Sequence, residues 1–282
     1  MLQFSNCKIN IGLNVTGKRN DGYHNIESVF YPIDWTETIE IMPSKRKEKF
    51  TLFEYGITNV CPVDQHLCFK AYQLLDKHFG LPSIELHLLK TIPTGAGLGG
   101  GSSNGANTLK ALNTFFNLKI EKKQLEDYAL QLGSDCPFFI STTPSYVEGR
   151  GEMITPIQLD LSDYSILLIH PKVHLSTAEA YRNLNPHKKE DDLRQSIQLP
   201  IEKWRETIVN DFEKYAFEVH PLLARIKNDF YAHHALYASM SGSGSTVFGI
   251  FNSYENAVAM QEKYSELTSH LSLSKNHMLN FL

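Results

Sequence analysis

Long hydrophobic runs are missing from this 282-residue sequence. No stretch approaches the ~18 apolar residues of a membrane span, so no membrane partner is expected. A basic excess is missing too. The 27 Lys and Arg face 31 Asp and Glu, a net charge of −4, without the cationic field that nucleic acid calls for. An anionic small ligand would then need a local positive site. Cysteine is sparse: Cys7, Cys61, Cys68 and Cys136 form no C-x-x-C pair. They are expected as reduced thiols of a cytoplasmic protein. The opening "MLQFSNCKINIGLNV" alternates instead of forming a continuous apolar core, so it does not read as a signal peptide. Histidines at metal-ligand spacing are lacking, and so are internal repeats.

What is present is an ordinary globular mix, 42% apolar and 21% charged. The length suits one large domain or two ordinary ones. "CKINIGLNV", 7–15, alternates and predicts a strand with one buried face, Lys8 and Asn10 projecting from the same side. Asp21-Gly22 signals a turn. Strands are predicted at 26–33, 37–42, 49–55 and 83–90, and a helix over 66–79. Ser102 or Ser103 is the expected N-cap of a helix reaching about Phe116, and a second helix spans about 121–132. "EGRGEMITPIQ" is turn-rich and places a domain boundary near 155, giving domains 1–155 and 156–282. Beyond it come a strand in "YSILLIHP" and a helix in "STAEAYRNL" capped by Ser176 or Thr177. "HKKEDDLRQ", 187–195, reads as a mobile charged loop. Helices at about 201–217 and 221–230, strands near 235–239 and in "TVFGIF", and a helix over about 254–265 complete an α+β chain.

The glycine density peaks in "PTGAGLGGGSSNGA", Pro93 to Ala106. Gly95, Gly97 and Gly100 fit G-x-G-x-x-G, but two helices follow without the second strand and acidic residue of a dinucleotide fold. Gly95, Gly100 and Ser102 fit the Walker pattern, except that Gly101 fills the lysine slot. What remains is a cradle of backbone N–H groups at a helix N-terminus, which attracts anions without side-chain charge. Ser102 and Ser103 add hydroxyls for phosphate or Mg²⁺. A flexible glycine loop without a ligand is the plain alternative.

Four segments together resemble the GHMP superfamily of small-molecule kinases. The glycine loop resembles its ATP motif. "KINIGLNVTGKRNDGYHNIESVF", 8–30, is similar to the N-terminal motif of its diphosphocytidyl-methylerythritol branch. "LGSDCPFF", 132–139, resembles the segment bearing the catalytic aspartate, and "SGSGSTVFGIF", 241–251, the C-terminal glycine motif. The resemblance implies a two-domain fold, an ATP-binding N-terminal domain with a ferredoxin-like α/β sandwich after it. It implies ATP and Mg²⁺ as cofactors and phosphorylation of a hydroxyl on a cytidine diphosphate derivative, on a route to isoprenoid precursors. ATP would contact Pro93, Gly95, Gly97, Leu98, Gly99, Gly100, Gly101, Ser102, Ser103 and Asn104. Asp135 would take the hydroxyl proton, with Lys8 and Asn10 beside it. Phosphoryl transfer asks a protein mainly for positioning and charge stabilisation, which suits that trio.

Tyr23 and His24 match a cytosine-binding pair, with Tyr181 on the other face, Phe30 nearby and Thr177 near the hydroxyls. Gly242, Ser243 and Gly244 would close the site. Three places depart from the pattern: "SNCKIN" replaces the usual Pro-Ala before the lysine, His66 stands where an asparagine near adenine is usual, and Gly105 where alanine is usual. Metal ligands are not legible, and either a monomer or a homodimer is compatible. Kinases for homoserine or mevalonate-type substrates, a nucleotide binder without catalysis and a dinucleotide oxidoreductase remain rivals.

Overall fold

The computed structural model describes residues 1–184 and 192–278. The chain forms two compact units. The first comprises 1–8, 32–94 and 99–143; the second comprises 9–31, 95–98 and 144–278 of the described residues. Two long strands contribute to both, β1 (Leu2–Lys18) and β2 (His24–Pro43). β2 merges the two strands expected at 26–33 and 37–42. It stays extended through Asp34–Thr36 because each end has its own partner strand.

In the first unit β3 (Phe50–Gly56) is followed by α1 (Leu67–Phe79), β4 (Ile84–Lys90), α2 (Gly100–Phe115), α3 (Lys122–Leu132) and α4 (Phe138–Ser141). The sheet order is β3-β4-β2, with β3 parallel to β4 and β4 antiparallel to Thr38–Pro43 of β2. α1 buries Cys68, Ala71, Tyr72 and Leu75, the i, i+3, i+4, i+7 face its spacing predicts. It packs on α2, and α2 packs on α3 and α4.

Gly105 explains its own departure. A Cβ there would lie 2.9 Å from Leu67 Cβ and 3.4 Å from Leu132 Cδ1. Alanine in a helix interior ordinarily gains up to ~1 kcal/mol over glycine. Overpacking a tight contact costs about 1–3 kcal/mol. Gly105→Ala is therefore expected to lower the melting temperature by a few degrees; a rise on thermal melting would show that α1 and α2 separate freely.

In the second unit β5 (Ser145–Glu148) and β6 (Met153–Pro156) form a hairpin, and β5 pairs with Ser28–Phe30 of β2. The turn-rich stretch at 148–158 is thus largely hairpin. Then come β7 (Ser165–His170), α5 (Thr177–Arg182), α6 (Leu193–Ser196), α7 (Trp204–Thr207), α8 (Glu213–Val219), α9 (Pro221–Ala232), β8 (Tyr237–Met240), β9 (Val247–Phe251), α10 (Tyr254–Lys263), β10 (Thr268–Ser272) and α11 (Lys275–Met278). The antiparallel order β10-β7-β9-β8, with helices after β7 and after β9, is the ferredoxin-like arrangement expected. Leu167, Ile169, Leu223, Ile226, Phe230 and Val247 lie at the centre of its core.

Ser176 caps α5 by accepting from the Glu179 amide. Residues 187–191 of the expected charged loop lie outside the described residues, and Asp192 caps α6. The helix expected over 201–217 is broken. Between α7 and α8 the chain extends, and Asn210 bridges to Leu13 of β1. β10 lies where the sequence predicts no strand, because "TSHLS" carries too little apolar signal. Among the described residues no helix is long and apolar enough to cross a membrane.

Candidate active site

The glycine loop is shared between the units: Gly95–Leu98 goes with the second, Gly99 onward with the first. In the first unit Gly99, at φ 70°, is the N-cap of α2. A Cβ there would meet Phe139 Cζ at 2.9 Å and Lys8 Cε at 3.3 Å, so only glycine fits both the conformation and the space. The cap thus falls at Gly99, three or four residues ahead of the expected serine caps Ser102 and Ser103. The first i to i−4 bond of α2 runs from the Ser103 amide to the Gly99 carbonyl, 2.9 Å. The amides of Gly100, Gly101 and Ser102 precede that bond and make up the N-terminal end of the helix, the kind of end that favours anions.

Ser103 and Asn104 face inward. The Ser103 hydroxyl accepts from Ser5 Oγ at 2.8 Å, and Asn104 Nδ2 donates to Glu37 Oε2 at 2.7 Å. Ser102 is therefore the serine whose hydroxyl stays near the helix end; it pairs with the Cys136 thiol.

That pairing places the aspartate. After α3 the chain turns at Gly133, with the Cys136 amide donating to the Gly133 carbonyl at 3.1 Å. Cys136 is wholly buried, and burial pushes its thiol up to about 12, so it packs as a neutral group beside Ser102. Asp135, the preceding residue, is left one-third exposed, and its Oδ2 lies 3.7 Å from Lys8 Nζ. Lys8 itself is buried. Burial pulls its pKa below the usual lysine value, and the Asp135 carboxylate pushes it back up. Lys8, Asp135 and the amide end of α2 thus meet within one unit. The strand expectation was half right: Cys7 to Val15 is buried on both faces, because the polar face of β1 is covered as well.

A lysine missed by the motif reading stands under the loop. Lys90 Nζ would be 3.8 Å from a Cβ at Gly100, yet it is held by Glu37 at 3.1 and 3.2 Å. Glu37 Oε1 also accepts from the Thr91 and Ile92 amides, 3.1 and 2.9 Å. This buried network fixes the strand end from which the loop departs, and Asn104 joins it from α2. Its only sequence signal is a lysine closing the strand before "TIP". His66 caps α1, its Nδ1 accepting from the Cys68 amide at 3.2 Å, and its Nε2 faces Glu54 Oε1 at 3.9 Å. The ring is mostly buried, which lowers its pKa.

In the second unit the loop meets the C-terminal glycine motif. Ser241 Oγ donates to the Gly97 carbonyl at 2.8 Å and accepts from the Asn10 amide at 3.1 Å. A Cβ on Gly97, at φ 79°, would lie 2.0 Å from the Ser241 carbonyl oxygen. Asn10 Nδ2 donates to Ser28 Oγ at 2.8 Å, which donates on to the Gly12 carbonyl at 2.6 Å. Thr177 Oγ1 and Ser243 Oγ are 2.8 Å apart, tying α5 to the same motif.

The aromatic residues divide. Tyr23 is 57% exposed on the Asp21-Gly22 turn, with the Arg150 guanidinium 4.9 Å over its ring. His24 stacks on Tyr181 at 4.7 Å and 16°, and Tyr181 meets Phe212 edge-on. Burial, with Lys18 nearby, keeps the His24 pKa below its ordinary value, so the ring is neutral at pH 7. Phe30 is buried opposite Ser145 and belongs to the core.

The family described as GHMP kinases N terminal domain matches residues 66–143, and GHMP kinases C terminal matches 193–269. The chain is 49% identical over 252 residues to a 4-diphosphocytidyl-2-C-methyl-D-erythritol kinase of Bacteroides thetaiotaomicron, covering 89% of this chain and 92% of that one. Its counterpart in Cytophaga hutchinsonii is 42% identical, with 96% and 97% covered. A crystal structure of 4-(cytidine 5'-diphospho)-2C-methyl-D-erythritol kinase superposes with a TM-score of 0.82 at 26% identity, over 96% and 98% of the two chains. A mevalonate kinase structure, at 14% identity and a TM-score of 0.73, shares the fold.

Proposed function

Since this chain belongs to the 4-diphosphocytidyl-2-C-methyl-D-erythritol kinase family of the GHMP kinases, we propose that it transfers the γ-phosphoryl group of ATP to the 2-hydroxyl of 4-diphosphocytidyl-2-C-methyl-D-erythritol, a step toward isoprenoid precursors. The observation that carries the chemistry is the Lys8–Asp135 pair set against the amide end of α2. The triphosphate lies on the amides of Gly100, Gly101 and Ser102. Asp135 accepts the proton of the attacking hydroxyl. Lys8, buried beside Asp135, offsets charge on the transferring group. Ser103 and Asn104 serve as framework, since their polar atoms are already engaged.

Among the described residues no three His, Cys, Asp or Glu side chains cluster as a metal site. Mg²⁺ carried with ATP would keep most of its shell as water and phosphate oxygens. The Ser102 hydroxyl, at the end of α2, is an oxygen donor that would fit it. When bound, it would neutralise phosphate charge. The matches at 66–143 and 193–269 fall on either side of residue 155 and support domains 1–155 and 156–282.

For the pyrimidine, Tyr23 offers one open ring face, the other being covered by Arg150. Neutral His24 offers a donor and an acceptor for the base edge. Tyr23→Ala is expected to raise KM for the cytidine substrate about tenfold and KM for ATP far less, since base–aromatic stacking is worth about 1–3 kcal/mol. The reverse pattern in steady-state kinetics would move the base elsewhere. The function itself is tested by ADP release with Mg-ATP and an acceptor panel of 4-diphosphocytidyl-2-C-methyl-D-erythritol, homoserine and mevalonate. Turnover with the first alone is expected; turnover with another would discard the pyrimidine site.

A further inference from the structure

The break between α7 and α8 does more than interrupt a helix. In "NDFE", 210–213, three polar side chains hold three separate pieces of the second unit. Asn210 is 3% exposed, and its Nδ2 uses both hydrogens, donating to the Met240 carbonyl at 2.7 Å and the Gly242 carbonyl at 2.8 Å. Its Oδ1 accepts from the Phe212 amide at 3.0 Å. Asp211 Oδ2 accepts from the Val15 amide at 2.8 Å, while backbone bonds join Leu13 to Val209 and Asp211. Glu213 Oε1 accepts from the Met240 amide and Ser239 Oγ, and its Oε2 from Lys227.

The segment therefore grips β1 on one side and the entry to the C-terminal glycine motif on the other. Beyond Gly242 the path continues. Ser241 holds the Gly97 carbonyl and the Asn10 amide, and the Thr246 amide donates to the Ala96 carbonyl at 3.2 Å. The spacing leaves little slack. A Cβ at Gly242 would sit 3.2 Å from Asn10 Oδ1 and 3.4 Å from Gly97 Cα.

We infer that Asn210 is a positioning residue for ATP: its amide fixes the carbonyls of Met240 and Gly242, and through Ser241 it sets where the glycine-loop residues 95–98 stand. This rests on the reading that the glycine loop carries the ATP phosphates. An amide is required because no other side chain of that size directs two hydrogens at two buried carbonyls while accepting a third bond. Aspartate, nearly isosteric, would present oxygen to both carbonyls and remove the two amide donors they now share.

The test compares wild type with Asn210→Asp and with Asn210→Ser, which keeps one donor and a milder perturbation. Leu223→Ala, a buried core change in the same unit, serves as a control matched for lost thermal stability. Amide hydrogen exchange at 95–98 and 241–244 is measured beside steady-state kinetics. Faster exchange at both segments is expected, with kcat/KM for ATP falling about 10²-fold for Asn210→Asp, the scale of a 1 Å misplacement. The acceptor KM should stay near wild type, and Leu223→Ala should leave the kinetics unchanged. Ser241→Ala combined with Asn210→Ser should be little worse than the poorer single variant, because both act along one path.

Wild-type exchange at 95–98 in Asn210→Ser would overturn the inference whether or not Asn210→Asp folds. So would an ATP effect reproduced by Leu223→Ala. A wild-type chain that uses a different acceptor would remove the pyrimidine reading and leave the exchange and ATP readouts to decide on Asn210.

Discussion

Asp135→Asn lowers kcat by about three orders of magnitude and leaves the Kd for ATP and for the acceptor within about threefold: this is the expected result. The substitution is isosteric and falls on a side chain one-third exposed. The turn that carries it is anchored by the neighbouring residue Cys136, buried beside Ser102, so the local fold does not depend on the carboxylate. What is lost is chemical. An amide cannot take the hydroxyl proton, and Lys8 loses the charge that raises its pKa against burial. Both effects fall on the reacting state, so turnover suffers and binding does not. Single-turnover phosphoryl transfer and calorimetric binding would check it. Lost binding with partial turnover would make Asp135 a structural residue and leave the Lys8 site without its base.

Gly97→Ala should be the most damaging single methyl group in the loop. The added Cβ meets a backbone oxygen, Ser241 O at 2.0 Å, instead of the flexible end of a side chain. Left-handed backbone at a non-glycine adds about 1–2 kcal/mol. The loop must shift by about an ångström, and such misplacement costs on the order of 10² in kcat/KM. The melting temperature should fall as well. Gly101→Ala is the contrast: a Cβ there meets nothing within 4 Å, so stability should hold. Gly97→Ala with wild-type kinetics would mean that the loop's position does not matter to ATP.

Much of the candidate site is legible in the sequence. Lys8, the glycine loop, Asp135 and the motif at 241–251 are local strings, and each string carries its meaning in residue type and order. The ferredoxin-like order was within reach by resemblance. The individual strands were less so, since "TSHLS" and "SYVE" are too short or too polar to stand out. Motif reading treated Ser102, Ser103 and Asn104 alike. The structure separates them because α2 begins at Gly100, which turns successive side chains by about 100° and sends Ser103 and Asn104 to the buried side.

Lys90 and Asn210 were missed for a common reason. Neither lies in a glycine motif, and each works through partners distant in sequence: Glu37 for Lys90, Met240 and Gly242 for Asn210. The segment around Asn210 even looked helical, and its pairing with β1 overrode that propensity. The sequence alone determined the family motifs and, with them, the candidate site, because a phosphate cradle, a cation and a carboxylate need particular residue types in short order. Only the tertiary structure decided which polar groups stay available for a ligand and which are spent holding the cradle. That division depends on burial, and burial is set by which distant segments pack together.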